Sequence, residues 1–358
     1  MKAISLAQQF VSHPSELTVS TIETPSPSPT HHLVRIHSAG VNFFDLLQIR
    51  GKYQIQPPFP WTAGFEFAGE IVATPTAKPE DGSDWRFQVG DRVFGAQQGA
   101  YATHILAPEW WMHKIPNGWS FDDAAGLYVT GPTAYAGIVT RARTKAGEWV
   151  LVHAGAGGVG LAAVQVAKAV GATVIATVGS QRKAEVARSY GADWVVDYRE
   201  KGWEFKVKQI CERERKEDGK GNSGIDVVFD PVGLIELSLR CVSWDGRLIV
   251  VGFAGGQIEK VAMNRVLLKN VSVIGLQWGM YPMMEPETEK EVWKGLFSLI
   301  AEKKFKSIVF SDQEFVGLDR VADALTALES RATWGKVVVR LKDSNDIGYQ
   351  NLKRESRL

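Results

Sequence analysis

The stretch 149–160, WVLVHAGAGGVG, decides the fold of this chain. Trp149 to His153 is an apolar run that reads as a strand. Gly155, Gly157 and Gly160 follow in a G-x-G-x-x-G turn, Val159 to Val170 has a helical pattern, and Ala172 to Val178 is a second apolar run. Strand, turn, helix, strand is the context in which that pattern means dinucleotide binding. One glycine makes the tight turn, one lets the backbone approach a pyrophosphate, and one lets helix and sheet sit close. The free N–H groups and positive end of the helix then hold the diphosphate. In a chain with 35 glycines the pattern alone would carry little; its flanks carry the reading.

Outward from that turn, strands alternate with helices. Strands are expected at Trp149–His153, Thr173–Thr177, Trp194–Val196, Asp226–Phe229, Arg247–Val251 and Val271–Gly275. Helices are expected at Pro132–Arg143, Val159–Val170, Gln181–Tyr190, Trp203–Arg215 and Leu234–Val242. Such alternation predicts an α/β fold with a doubly wound parallel sheet. Before it, short apolar stretches (Leu33–Ile36, Phe67–Ala73, Arg92–Phe94, Tyr101–Leu106) separated by Gly, Pro and Asp turns read as strands. After Pro282, helices at Glu287–Glu302 and Leu318–Ser330 and a strand at Lys336–Leu341 are expected, the last completing an edge of the N-terminal sheet. The division predicted is a first domain over 1–130, a dinucleotide-binding domain over 131–279, a return to the first domain over 280–342, and a flexible tail over 343–358.

Composition excludes several classes. The chain has 358 residues, 45% hydrophobic and 23% charged, with a formal net charge of +1. That charge makes no case for nucleic acid or an anionic membrane as the main partner, and the apolar runs are too short and broken to span a bilayer. Two cysteines, Cys211 and Cys241, build neither a disulfide framework nor a structural zinc site. The first ten residues lack the apolar core of a signal peptide. The tail ends Ser356-Arg357-Leu358, a conservative variant of the S-K-L address. It predicts recognition by a peroxisomal import receptor, with a cytoplasmic location otherwise.

The second strand selects the dinucleotide. NAD enzymes commonly place an acid there, about twenty residues past the glycine turn, to bind the ribose hydroxyls. Here the sequence reads Thr177-Val178-Gly179-Ser180, then Arg182 and Lys183. Small residues leave room for a 2′-phosphate, and Ser180 with two cations can bind it, so NADPH is the expected cofactor. The alternative is that Arg182 and Lys183 are ordinary helix-surface charges.

These residues belong to a wider pattern. GVNFFDLLQIRGKY, PFPWTAGFEFAGEI, GDRVFG, DAAGLYVTGPTAY, HAGAGGVG, VGSQRKAEVARSYGA, VVFDPVG, GRLIVVGFAGG and SRATWGKVVV occur in order. The chain thereby resembles the zinc-independent medium-chain dehydrogenase/reductases, in the quinone oxidoreductase and zeta-crystallin branch, from Met1 to about Leu341. The run GRLIVVGFAGGQI…LLKNVSVIGLQWG is most similar to the quinone oxidoreductase-like subgroup. The resemblance implies a GroES-like β-barrel domain built from both chain ends, a Rossmann domain between them, a cleft at their junction, and a homodimer. Zinc-dependent relatives carry a ligand Cys at the position of Asn42 and a ligand His in G-H-E, which here reads Gly64-Phe65-Glu66. No metal is therefore expected; the remaining histidines show no ligand spacing and read as surface or core residues.

By the same resemblance, Asn42 and Tyr53 are the catalytic candidates, beside nicotinamide and substrate. The Asn42 amide can donate a hydrogen bond. The Tyr53 hydroxyl can donate a bond or proton, or its ring can simply line the cleft. Asp45 reads as a structural cap or loop anchor rather than a base. Thr133 lies near the nicotinamide, Gly155, Gly157, Gly158, Val159 and Gly160 form the pyrophosphate turn, and Ser180 and Lys183 take the 2′-phosphate. Tyr198 lies beside the adenine, and Gly252, Phe253 and Ala254 line the nicotinamide side. Leu276 and Trp278 reach the cleft or the dimer edge, and Arg331 is a cation near the cofactor phosphate. A site without a Lewis acid suits an acceptor that takes hydride readily. The function expected is NADPH:quinone reduction. The alternatives are enoyl reduction of an α,β-unsaturated carbonyl or acyl thioester, and a crystallin-like or RNA-binding protein that retains NADPH.

Overall fold

A computed structural model describes residues 1–79, 82–215 and 223–341. The tail, with Ser356, Arg357 and Leu358, lies outside the described residues. The chain forms two compact units. One comprises Met1–Tyr128 and the chain from Val309 onward; the other is Val129–Ile308. The fold class is the mixed α/β expected, with antiparallel sheets of GroES-like type in the first unit and a parallel Rossmann sheet in the second.

In the first unit, His31–Gly40 is the central strand. It pairs antiparallel with Glu66–Ala73, with His104–Pro108 and with Val338–Arg340. Arg92–Ala96 and Met112–Lys114 extend the sheet on one side and Phe315–Val316 on the other. The late strand therefore joins the N-terminal sheet as expected, but one place in from its edge. A smaller sheet orders Val19–Thr21, Lys2–Leu6 and Trp61–Thr62. Alternate residues of these strands point inward, and Phe67, Ile71, Tyr101, Met112 and Val339 meet Leu46 and Ile49 of the helix Phe43–Ile49 in one apolar core.

The second unit holds six parallel strands ordered Trp194–Asp197, Thr173–Val178, Trp149–Val152, Ile225–Asp230, Val242–Val250, Ser272–Gly275. Strand order reverses between Trp149–Val152 and Ile225–Asp230, the topological switch point at which such sheets bind ligands. Those two strands are buried at every residue, as expected for strands with helices on both faces.

Three differences from the sequence reading bear on the architecture. The helix expected over 132–143 is α-helical over Thr130–Tyr135 and widens into a π-helical turn over Ala136–Arg141. Gly137 lies there against the Phe229 ring, 2.5 Å from where a Cβ would stand. The helix expected over 234–242 spans only Ile235–Ser238, because Cys241 accepts the Ile225 N–H and Val242 already begins a strand. Finally, residues 280–308 belong to the second unit, not the first. Gln165 bonds both the N–H and the carbonyl of Lys306, and Tyr190 donates to the Ser307 carbonyl. Gly295 brings the helix Pro286–Ala301 against Tyr135.

Candidate active site

All the strands of the second unit run the same way, so their carboxyl ends share one edge of the sheet. Most cofactor candidates gather there. The glycine turn follows Trp149–Val152, and Gly157 caps the helix Gly158–Val170 without a side chain. The first-turn N–H groups, on Gly158, Val159 and Gly160, are ones a helix cannot satisfy internally. The glycines are sterically required: a Cβ at Gly155 would come within 2.5 Å of the Ala176 side chain, and one at Gly160 within 2.1 Å of the Ala154 carbonyl oxygen. Ala154 itself adopts a positive φ of 47° to make the turn.

At the next strand end, Ser180 caps the helix Gln181–Ser189, its hydroxyl accepting the Lys183 N–H at 3.3 Å. Tyr198 lies across Gly179, where a Cβ would come within 2.8 Å of the phenol oxygen. Gly179 thus leaves room for the Tyr198 ring, a steric need outside the G-x-G-x-x-G pattern. Gly252, Phe253 and Ala254 follow Val242–Val250, with Phe253 40% exposed. Leu276 and Trp278 follow the last strand, and both are buried: Leu276 lies beside Gly137, and Trp278 stacks on Tyr281 at 5.1 Å. Thr133 donates its hydroxyl hydrogen to the Val129 carbonyl and keeps its lone pairs to accept. His153 is a core residue, its ring nitrogens within hydrogen-bond distance of Thr177 and Ser238.

Asn42, Tyr53 and Arg331 lie in the first unit. Sheet register builds the surroundings of Asn42. Gly40 pairs with Glu66 on one side and Val338 on the other, and Val41 donates its N–H to the Val337 carbonyl. Continuing one residue past Val41 and Val337 sets Asn42 opposite Lys336, and Glu66, paired with Gly40 on the other side, reaches both with its side chain. The Lys336 ammonium donates to the Asn42 Oδ1 and to the Glu66 Oε2, both at 2.5 Å, and the Asn42 Nδ2 donates to Glu66 at 3.2 Å. Lys336 is 3% exposed and Glu66 is fully buried. Below them, Asp45 accepts the Asn42 backbone N–H at 2.8 Å and the Tyr101 hydroxyl at 2.7 Å. Burial pushes the Asp45 carboxyl up to about 7 against the lowering effect of Tyr101.

Phe44 stacks on Tyr53 at 5.5 Å and meets Phe65 edge-on at 5.6 Å; Phe65 in turn faces Trp111. A row of rings therefore runs from Tyr53 through Phe44 and Phe65 to Trp111, with Phe44 two residues after Asn42 and Phe65 next to Glu66. Burial, then the nearby Asp45, holds the Tyr53 phenol above its ordinary range. Arg331 occupies a turn before the last strand with a positive φ of 58°.

Sequence reasoning named Glu66 only as part of a motif and Lys336 only as the start of a strand, neither as a site residue. The signal was present: each is a charge inside an apolar strand, where burial demands a partner.

The site does not suit zinc. An ammonium stands between Asn42 and Glu66, and among the described residues no three His, Cys, Asp or Glu side chains come together to hold a metal.

Comparison with known proteins gives the lineage. Residues 28–117 match the alcohol dehydrogenase GroES-like domain, and residues 158–301 match the zinc-binding dehydrogenase family. The chain is 35% identical to mouse quinone oxidoreductase-like protein 2 over 338 residues, covering 91% of this chain and 89% of the mouse protein. Among solved structures it is similar to Escherichia coli quinone oxidoreductase complexed with NADPH, with a TM-score of 0.81 and 30% identity over 95% of this chain and all of that one. A mycobacterial protein complexed with NADPH gives a TM-score of 0.82 at 29% identity, over 95% of this chain and 99% of that one.

Proposed function

The chain belongs to the medium-chain dehydrogenase/reductase family of oxidoreductases, and from that membership we propose that it is an NADPH-dependent, zinc-free reductase of quinones. The observation that carries the acceptor class is the Asn42 amide, held as a donor by Glu66 and Lys336, with the stacked Phe44 and Tyr53 rings following it in the chain and, among the described residues, no group of three His, Cys, Asp or Glu to hold a metal. A flat conjugated ring stacks on such a row, and an N–H aimed at its carbonyl oxygen orients it and stabilises charge arriving there.

The second unit fits NADPH. Gly158, Val159 and Gly160 offer N–H groups to the pyrophosphate, and the glycines around them leave the backbone bare. Ser180 and Lys183 take the 2′-phosphate, with no carboxylate between strand and helix to repel it. Tyr198 flanks the adenine, and Thr133, Gly252, Phe253 and Ala254 flank the nicotinamide. Leu276 and Trp278 support that end by packing, and Arg331 supplies a phosphate cation. NADPH, when bound, supplies the hydride. Asn42 orients the acceptor carbonyl, and the Tyr53 hydroxyl or solvent supplies the proton.

A homodimer accompanies this reading. Ser272–Gly275 is an edge strand, and Met263, Leu267 and Leu268 of the preceding helix are 69%, 77% and 72% exposed. A bare strand edge beside such a face suits pairing with a second copy.

The test follows NADPH oxidation by absorbance with an ortho-quinone, a para-quinone, an enone and an enoyl thioester, with NADH in parallel. Quinone turnover that prefers NADPH is expected. Turnover confined to the enone or thioester would move the assignment to enoyl reduction.

A further inference from the structure

The orientation of the Asn42 amide can be read from its neighbours alone. A carboxamide has one acceptor end and one donor end, and their assignment follows from the hydrogen-bond network. A lysine ammonium only donates and an ionised carboxylate only accepts. Lys336 therefore marks the Asn42 oxygen, at 2.5 Å, and Glu66 marks the nitrogen, at 3.2 Å. The three groups close into a ring, because Lys336 also donates to the same Glu66 oxygen. One N–H of Asn42 goes to Glu66, and the second is the donor left for a substrate.

The surroundings are shaped around the lysine. A Cβ at Gly126 would stand 3.0 Å from the Lys336 Cγ; one at Gly40 would stand 2.2 Å from the Ala125 carbonyl oxygen and also 3.1 Å from the Lys336 Cε and 3.0 Å from Glu66. The Asn42 backbone is fixed separately, through Asp45 and Tyr101. Side chain and backbone are thus held by two different sets of bonds.

We propose that Lys336 is a positioning residue: clamped between Asn42 and Glu66, its ammonium locks the Asn42 carboxamide with the nitrogen turned to donate to the acceptor carbonyl. The catalytic meaning of this lock rests on the reductase reading above; the lock itself does not. Without Lys336 the amide keeps only the single 3.2 Å bond to Glu66 to orient it, and the buried Glu66 carboxylate loses the ammonium that balances its charge.

Two measurements separate this role from a purely structural ion pair. The first uses protein labelled with 15N at asparagine, with the Asn42 side-chain amide pair identified by its loss in Asn42→Ala. In Lys336→Met that pair is expected to shift or split; an unmoved pair would overturn the proposal. Should Lys336→Met fail to fold, Lys336→Met/Glu66→Gln removes both buried charges together, with the same expectation. The second is a double-mutant cycle on kcat with a quinone. Lys336→Met is expected to lower kcat roughly tenfold in the natural protein and to change it little in the Asn42→Ala background. Equal losses in both backgrounds would show that Lys336 does not act through Asn42. A natural protein inert toward every quinone would remove the reductase reading, and the amide signal would still decide the lock.

Discussion

Asp45 sits fully buried at the third position of the helix Phe43–Ile49, and its surroundings make stability depend on pH. Its Oδ2 accepts Asn42 and Tyr101, while its Oδ1 has no hydrogen-bond partner among the described residues. Burial raises the folded pKa from 3.8 to about 7, with Lys336 opposing the rise and Glu66 adding to it. A carboxyl raised in this way leaves stability fully present below 3.8 and removes it as pH climbs toward 7. The cost at and above that pH is about 4 kcal/mol on the linkage relation. Asp45→Asn is expected to flatten stability between pH 4 and 7, as measured by denaturant unfolding across that range; an unchanged slope would mean that Asp45 does not titrate there. The sequence reading left Asp45 as a cap or a loop anchor, and the structure makes it the acceptor for the Asn42 N–H at the start of the helix. Its coupling to Tyr101 was not legible, because a contact across 56 residues leaves no local trace.

The glycine turn and the helix behind it were the most legible elements, since glycine spacing, flanking strand and helical period all agree. Gly160→Ala is expected to cost about 1–3 kcal/mol in stability and most of the NADPH affinity, read by thermal unfolding and by quenching of tryptophan fluorescence. Its Cβ would stand 2.1 Å from a backbone oxygen that cannot yield cheaply. The cap at Ser180 sets the second test. Lys183→Glu is expected to raise the KM for NADPH tenfold or more, on the strength of a charge-assisted phosphate bond, while leaving that for NADH nearly unchanged. Equal effects on both would return Lys183 to an ordinary surface charge. The strands Trp149–Val152, Thr173–Val178 and Ile225–Asp230 were read to within one residue because they are apolar along most of their length, whereas Val242–Val250 begins five residues before the expected Arg247. The reading failed at Leu234–Val242, where apolar periodicity fits helix and strand alike and the bond from Ile225 to Cys241 decides for the sheet.

The two-unit division followed from the change in pattern along the chain, but the re-entry point did not. The helix Pro286–Ala301 has an apolar face that either unit could bury, and its packing on Tyr135 through Gly295, with the bonds from Gln165 and Tyr190 to the segment after it, fixes the choice. Assembly is testable in the same terms. Leu267→Glu combined with Leu268→Glu adds charges to the exposed face beside the edge strand and is expected to yield monomers by sedimentation velocity, with NADPH affinity retained. A dimer that persists would move the interface elsewhere. The reaction itself is the central claim, and the most direct measurement is NADPH-dependent turnover of an ortho-quinone after exhaustive treatment with a zinc chelator, compared with Asn42→Ala. Undiminished turnover in the natural protein, preference for NADPH over NADH, and a loss of roughly tenfold or more in Asn42→Ala are expected. Activity that disappears with the chelator, or that Asn42→Ala leaves intact, would contradict the account.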